Sequence, residues 1–265
     1  MDEVDEGRFS TGVPYLRLGT GPPLLVAAGL TAEHANPTGR WRKMSLAWAA
    51  PFAEHFTVYL VNRRPGLAPG TTMSDIAADY AGAIENDLGG PALVHGTSSG
   101  GSVALQLAID HPHLVKKLVV AAAACRLSER GRQLQLDVAR LTREGEGRKA
   151  WALMLGSMSP APLRYPARGM GWLIGGAFTA DDPSDMLAVI EAEDTFDVEA
   201  RLGAIDAPAL VLGGTEDVFY SEDLFQRTAD GMPQGKLVLY PGKGHIHVAG
   251  SKGPATLGLG FLLGG

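Results

Sequence analysis

Apolar residues along this chain fall into short runs of strand length, separated by longer stretches in which they recur at helical spacing. The runs VPYLRLG (13–19) and PLLVAAG (23–29) predict two early strands divided by Gly-Pro-Pro punctuation. FTVYLVN (56–62), PALVHG (91–96), KKLVVAAAA (116–124), APALVLGG (207–214) and GKLVLYPG (235–242) predict five more. These five are nearly continuous in apolar character, as expected of strands covered on both faces. Helices are predicted over 72–88, 99–111 and 221–232. In the first, Ile76, Tyr80, Ala83 and Ile84 share a face, and Thr72 or Ser74 can cap its start. The tail GPATLGLGFLLGG (253–265) predicts a last short helix. Strands alternating with helices imply the α/β class: a mostly parallel twisted sheet with helices on both faces.

The alternation breaks between 126 and 204, a block without a convincing strand. Trp151, Met154, Met158, Met170, Trp172, Phe178 and Met186 cluster here, and prolines 160, 162, 166 and 183 divide the block into short pieces. The division is therefore a core domain over 1–125 and 205–265, with a helical lid over 126–204 across the sheet's carboxyl edge. Ordinary covering helices are the alternative.

Composition narrows the class. At 265 residues with 45% apolar content, the chain can bury one large domain with an insertion. Its net charge of −6, without long blocks of like charge, makes nucleic acid and anionic membranes poor partners. The single cysteine, Cys125, follows an apolar run and reads as core packing. The acidic start MDEVDEGRFS lacks a signal-peptide pattern, and no apolar run has membrane-spanning length, so a cytoplasmic protein is expected.

The junction LVHGTSSGGSVAL (93–105) carries the chemistry. Gly96-Thr97-Ser98-Ser99-Gly100 is a G-x-S-x-G match; shifting the frame by one puts Thr97 in the leading glycine's place, so Ser98 is the candidate nucleophile. A strand turning sharply into a helix can hold one side chain out at the strand's carboxyl end, on a strained backbone. The flanking residues must then lack a Cβ so that strand and helix can approach. The helix beginning at Ser99 also turns its free N–H groups toward the same spot.

With these residues in view, the chain resembles the α/β-hydrolase fold superfamily over most of its length. GPPLLVAAGL resembles the family's strand and oxyanion loop, and NRRPGLAPG its loop after the next strand. VHGTSSGGSVALQLAIDHPHLVKKLVV resembles the nucleophile strand, elbow and helix; IDAPALVLGGTEDVFY and GKLVLYPGKGHIHV resemble the acid and histidine segments. A serine hydroxyl needs a base, and the base an orienting carboxylate. His245 and His247 both follow the last strand; the resemblance of Gly244-His245 to the family's Gly-His favours His245. Glu216 and Asp217 both follow an apolar strand, and Asp217 occupies the family position. The resemblance further implies oxyanion donors at the backbone N–H groups of Leu30 and Ser99. The chain departs from the family where Ala28-Gly29 stands in place of the common His-Gly, removing a side chain that often ties that loop down. His95, inside a strand, reads as core. His34, beyond the oxyanion loop, is a candidate pocket residue with Trp151, Met154, Trp172 and Phe219.

The function implied is hydrolysis of a carboxylic ester or lactone of a small apolar or aromatic substrate through an acyl-enzyme. Carbon–carbon bond hydrolysis and cofactor-free haloperoxidase or perhydrolase chemistry are the alternatives of the same fold. A non-catalytic ligand-binding relative is the alternative from another class. No metal and no cofactor are expected, and the only partner expected is the small-molecule substrate, with the protein a monomer or homodimer. GTSSGGS lacks the lysine of a phosphate loop and the spacing of a dinucleotide fingerprint.

Overall fold

The computed structural model describes residues 4–178 and 180–264. Its strands are β1 (Asp5–Arg8), β2 (Pro14–Leu18), β3 (Pro23–Ala27), β4 (Thr57–Val61), β5 (Ala92–Thr97), β6 (Val115–Ala121), β7 (Ala209–Gly214) and β8 (Gly235–Tyr240). They form one sheet in the order β1-β2-β4-β3-β5-β6-β7-β8. From β4 to β8 every neighbour is parallel; β1 and β2 make an antiparallel edge, with Tyr15 opposite Val61. This is the expected α/β sheet, extended by one strand. β1 has no apolar run to announce it, and its residues pair through their backbone with β2.

The period-two alternation of the central strands feeds two apolar layers. Leu25, Val94, Leu118, Val120 and Val211 face one layer; Leu24, Val26, Leu93, Val119 and Leu210 face the other. Helices α1 (Gly39–Ala53), α2 (Met73–Asn86) and α3 (Ser99–Asp110) connect β3 to β4, β4 to β5 and β5 to β6. Thr72 caps α2: its hydroxyl accepts from the Asp75 N–H while the Asp75 carboxylate accepts from the Thr72 N–H. Ser74, the other candidate, donates to Asp110 instead. The expectation that β8 is covered on both faces is corrected: it ends the sheet, and its residues are at most half-buried.

Between β6 and β7 lie α4 (Glu129–Arg143), α5 (Gly147–Met158), α6 (Arg164–Ile174) and α7 (Ser184–Asp194), with an isolated bridge from Arg126 to Asp197. The side chain of Phe178 lies outside the described residues. α5 and α6 pack closely: a Cβ on Gly171 would stand 2.6 Å from the Trp151 carbonyl oxygen. After β7 come α8 (Glu222–Gly231), α9 (His245–Gly250) and α10 (Lys252–Leu263), the last a full twelve residues where a short helix was expected.

Candidate active site

The carboxyl ends of β3, β4, β5, β7 and β8 converge where the candidate residues sit, as ligands do in open α/β sheets. Ser98 follows β5 directly and precedes α3, with φ of 53° and ψ of −130°, a backbone conformation that non-glycine residues rarely adopt. The glycines around it are required by approach distance. A Cβ on Gly96 would stand 2.5 Å from the Gly100 carbonyl oxygen and 2.7 Å from the Ala104 Cβ; one on Gly100 would stand 2.5 Å from the Ala28 carbonyl oxygen. On Gly101 it would meet the Ala123 Cβ at 2.5 Å. The cluster of small residues is thus what lets α3 lie against β3 and β6 with Ser98 held at the apex. The Ser98 N–H, donated to the Ala121 carbonyl at 2.9 Å, fixes the turn.

Ser98 Oγ lies 3.0 Å from His245 Nε2, and His245 Nδ1 lies 2.9 Å from Asp217 Oδ2. With the Asp217 carboxylate accepting from Nδ1–H, Nε2 carries the lone pair and accepts from the serine hydroxyl. Asp217 has its side chain fully buried on the turn after β7, and its Oδ1 accepts from the N–H of Phe219 at 2.8 Å and of Tyr220 at 3.4 Å. His245 begins α9 and is 6% exposed. The Phe219 ring stands edge-on to the imidazole at 4.7 Å, and Tyr220 lies nearly parallel to it at 6.3 Å. The competitors point elsewhere: Glu216 is exposed, and the His247 ring packs beside Tyr240 at 5.8 Å.

The loop after β3 presses against the elbow. A Cβ on Gly29 would lie 3.3 Å from the Ser98 Cβ, so the turn that leads into Leu30 lies beside the serine from which α3 starts. Residues at the end of β4 hold this loop. Asn62 Nδ2 donates to Thr31 Oγ1 and to the carbonyls of Glu33 and Ala35 at 3.1–3.2 Å. Arg63, 0% exposed, donates from Nη1 to the Gly29 carbonyl at 2.9 Å, and from Nη2 to the Ala28 carbonyl at 3.1 Å and Ser99 Oγ at 2.7 Å. Sequence patterning missed Arg63, because a charged residue in a loop reads as solvent-facing.

A second buried network backs the acid turn. The Glu193 carboxylate on α7 accepts from Ser102 Oγ at 2.8 Å, Gln135 Nε2 at 2.8 Å and the Tyr220 hydroxyl at 3.2 Å. Burial, followed by the charge of Glu193, raises the Tyr220 phenol well above its usual range.

The remaining candidates are placed unevenly. Phe219 touches the imidazole, as above. Trp151 and Met154 are half-buried on α5, and Met154 packs against the main core layer. The end of α5 comes near the histidine turn, with a Cβ on Gly244 3.7 Å from the Met158 carbonyl oxygen. Trp172 is 48% exposed with the Arg148 guanidinium 5.2 Å over its ring, the setting of an outer-surface aromatic. His34 is buried, its Nδ1–H donating to the Arg64 carbonyl at 3.2 Å, with Asp185 Oδ2 at 3.6 Å. Burial, with the Arg63 charge second, lowers its pKa to about 4, so the ring is neutral. His95 lies edge-on to Trp48 and Phe52 with a pKa lowered by burial to about 4. The Cys125 thiol is buried and raised by desolvation, a core side chain. Among the described residues no group of three or more His, Cys, Asp or Glu side chains could hold a metal ion, and no helix is long and apolar enough to cross a membrane.

A family model described as "Alpha/beta hydrolase family" matches residues 24–252. The "Putative carbamate hydrolase RutD" of Variovorax paradoxus is 29% identical over 211 residues, 74% of this chain and 76% of that protein. The pimeloyl-[acyl-carrier protein] methyl ester esterase of Nitrosomonas europaea is 24% identical over 237 residues, 86% of this chain and 90% of that protein. Among solved structures, the enol-lactonase from Burkholderia xenovorans LB400 superposes with a TM-score of 0.81 at 17% identity, covering 98% of this chain and all of that one.

Proposed function

The chain belongs to the alpha/beta hydrolase family, and from that premise we propose that it is a serine hydrolase cleaving a carboxylic ester or lactone through an acyl-enzyme. The observation that carries this is the single imidazole bridging Ser98 Oγ at 3.0 Å and Asp217 Oδ2 at 2.9 Å. His245 takes the hydroxyl proton as Ser98 attacks the carbonyl, and Asp217 stabilises the imidazolium formed. The tetrahedral oxyanion is received by the backbone N–H groups of Leu30 and Ser99. The imidazolium then protonates the leaving alkoxide, and water attacks the acyl-enzyme with His245 again as base. Ester chemistry agrees with the named activities of the Nitrosomonas esterase and the Burkholderia enol-lactonase.

Helices α4 to α7 serve as the lid, and Phe219, Trp151, Met154 and His34 contribute to the pocket for a small apolar or aromatic group, while the exposed Trp172 stays outside it. The approach of α5 to the histidine turn supports this placement.

Labelling with a fluorophosphonate tests the nucleophile. Stoichiometric modification of the wild type, absent in Ser98→Ala, is expected, together with turnover of short p-nitrophenyl esters. A folded wild type that neither takes the label nor turns over these esters overturns the enzymatic proposal in favour of a ligand-binding relative. Removal of the base in His245→Ala is expected to abolish most of the p-nitrophenyl ester turnover. Full activity in that variant moves the base role to His247. A panel of esters, lactones and vinylogous diketones separates ester from carbon–carbon cleavage.

A further inference from the structure

From the hydrogen bonds that converge on one buried guanidinium we infer that Arg63 is a positioning residue of the oxyanion hole, holding both of its backbone donors at once; this rests on the serine-hydrolase proposal. A trans peptide unit is planar, with its carbonyl and its N–H directed oppositely. The Gly29 carbonyl and the Leu30 N–H belong to one such unit. When Arg63 Nη1 grips that carbonyl at 2.9 Å, it fixes the direction in which the Leu30 N–H points. Nη2 does the same for the preceding unit through the Ala28 carbonyl at 3.1 Å. Its second bond, to Ser99 Oγ at 2.7 Å, anchors the residue whose N–H is the other donor. Three neutral oxygens flanking the nucleophile therefore hang from one rigid fork, whose geometry an ammonium cannot reproduce.

The arrangement also has an electrostatic consequence. A hydrogen bond donated to a peptide carbonyl polarises that unit and strengthens its N–H as a donor. The full charge of Arg63 lies behind the peptide that faces the developing oxyanion and has the sign that oxyanion needs. The hydrogen-bond partners of this fully buried guanidinium are all uncharged, so desolvation opposes its contacts. With Ala28 in the position where the family commonly carries a loop-tying histidine, Arg63 reaches in from the end of β4 and supplies the tie.

The test compares the full-length wild type with Arg63→Met and Arg63→Lys, using p-nitrophenyl butyrate turnover, inhibition by phenylboronic acid, and the pH profile. Phenylboronic acid forms a tetrahedral adduct on the serine and reports the hole directly. Expected for Arg63→Met is a fall in kcat of about 10²-fold with KM nearly unchanged. Boronate affinity should weaken in step with kcat/KM, and the pH profile should keep the wild-type shape because the Asp217–His245 contact is untouched. Arg63→Lys keeps the charge and loses the fork, and is expected to lose about tenfold in kcat. Should Arg63→Met not fold, Arg63→Lys decides. The wild type adds an independent measurement: guanidinium N–H resonances of Arg63 should shift on boronate binding. Either variant retaining kcat within about twofold, boronate affinity unchanged while kcat falls, or unmoved guanidinium resonances overturn the inference. A wild type that takes no fluorophosphonate label overturns the serine proposal and this inference with it, so the two failures are distinguishable.

Discussion

At the scale of single residues, Asp217 illustrates how much depends on which atom accepts. Its Oδ1 is occupied by the N–H groups of Phe219 and Tyr220, leaving Oδ2 for His245 Nδ1. An asparagine here would keep its oxygen on those two backbone donors and turn its amide N–H toward Nδ1. The imidazole would then carry its proton on Nε2 and present a donor, not an acceptor, to Ser98. Asp217→Asn is expected to lower kcat by about 10⁴-fold with little change in melting temperature. Activity within about tenfold of wild type, in steady-state assays with a p-nitrophenyl ester, overturns the orienting role. Arg63 belongs to the same scale, because its consequence comes from three oxygens and not from its charge alone.

At the scale of elements, the elbow is a contact between a helix and the loop after β3. Gly100 lies on α3 where its missing Cβ makes room for the Ala27 and Ala28 carbonyls, and the Ala28 carbonyl is one that Arg63 holds. Gly100→Ala must therefore move the oxyanion loop or tilt the helix. We expect a loss of about 1–3 kcal/mol in urea unfolding. We also expect a fall in kcat larger than a comparably destabilising substitution far from the site, such as Thr72→Ala at the cap of α2, produces. Equal effects on activity from the two variants would contradict a functional role for this close approach. The same glycines made β5 and α3 readable from sequence, since an apolar run ending in Gly-x-Ser-x-Gly constrains both elements. β1 was not readable, because its polar residues are recruited by backbone pairing with β2. Nor was α1, which buries Ala49 and Phe52, carries Pro51 inside it and shows weak periodicity. Ser98 could be named from its G-x-S-x-G frame at the end of an apolar strand, and Asp217 and His245 from the resemblance of the segments after two later strands to the family's acid and histidine segments. Arg63, Asn62 and Glu193 could not, since only tertiary packing reveals that a charged or amide side chain points inward.

At the scale of the whole molecule, the response of the fold to acid follows from two buried histidines. His34 and His95 are buried in different parts of the core, and burial holds both pKa values near 4, so both rings stay neutral in the folded protein at ordinary pH. In the unfolded chain an imidazole titrates at about 6.5. Between these values the unfolded state binds more protons than the folded one, so stability is fully present above the unfolded pKa and is lost as pH falls toward the folded pKa. For one such histidine the loss between about pH 8 and pH 4.5 is about 2–3 kcal/mol. His95 is the cleaner test, because its neighbours Trp48 and Phe52 are aromatic and His34 also faces Asp185. Urea unfolding of His95→Leu at about pH 8 and pH 4.5 should show a smaller loss than the wild type, by roughly that amount. Equal losses in the two proteins would remove His95 from the account.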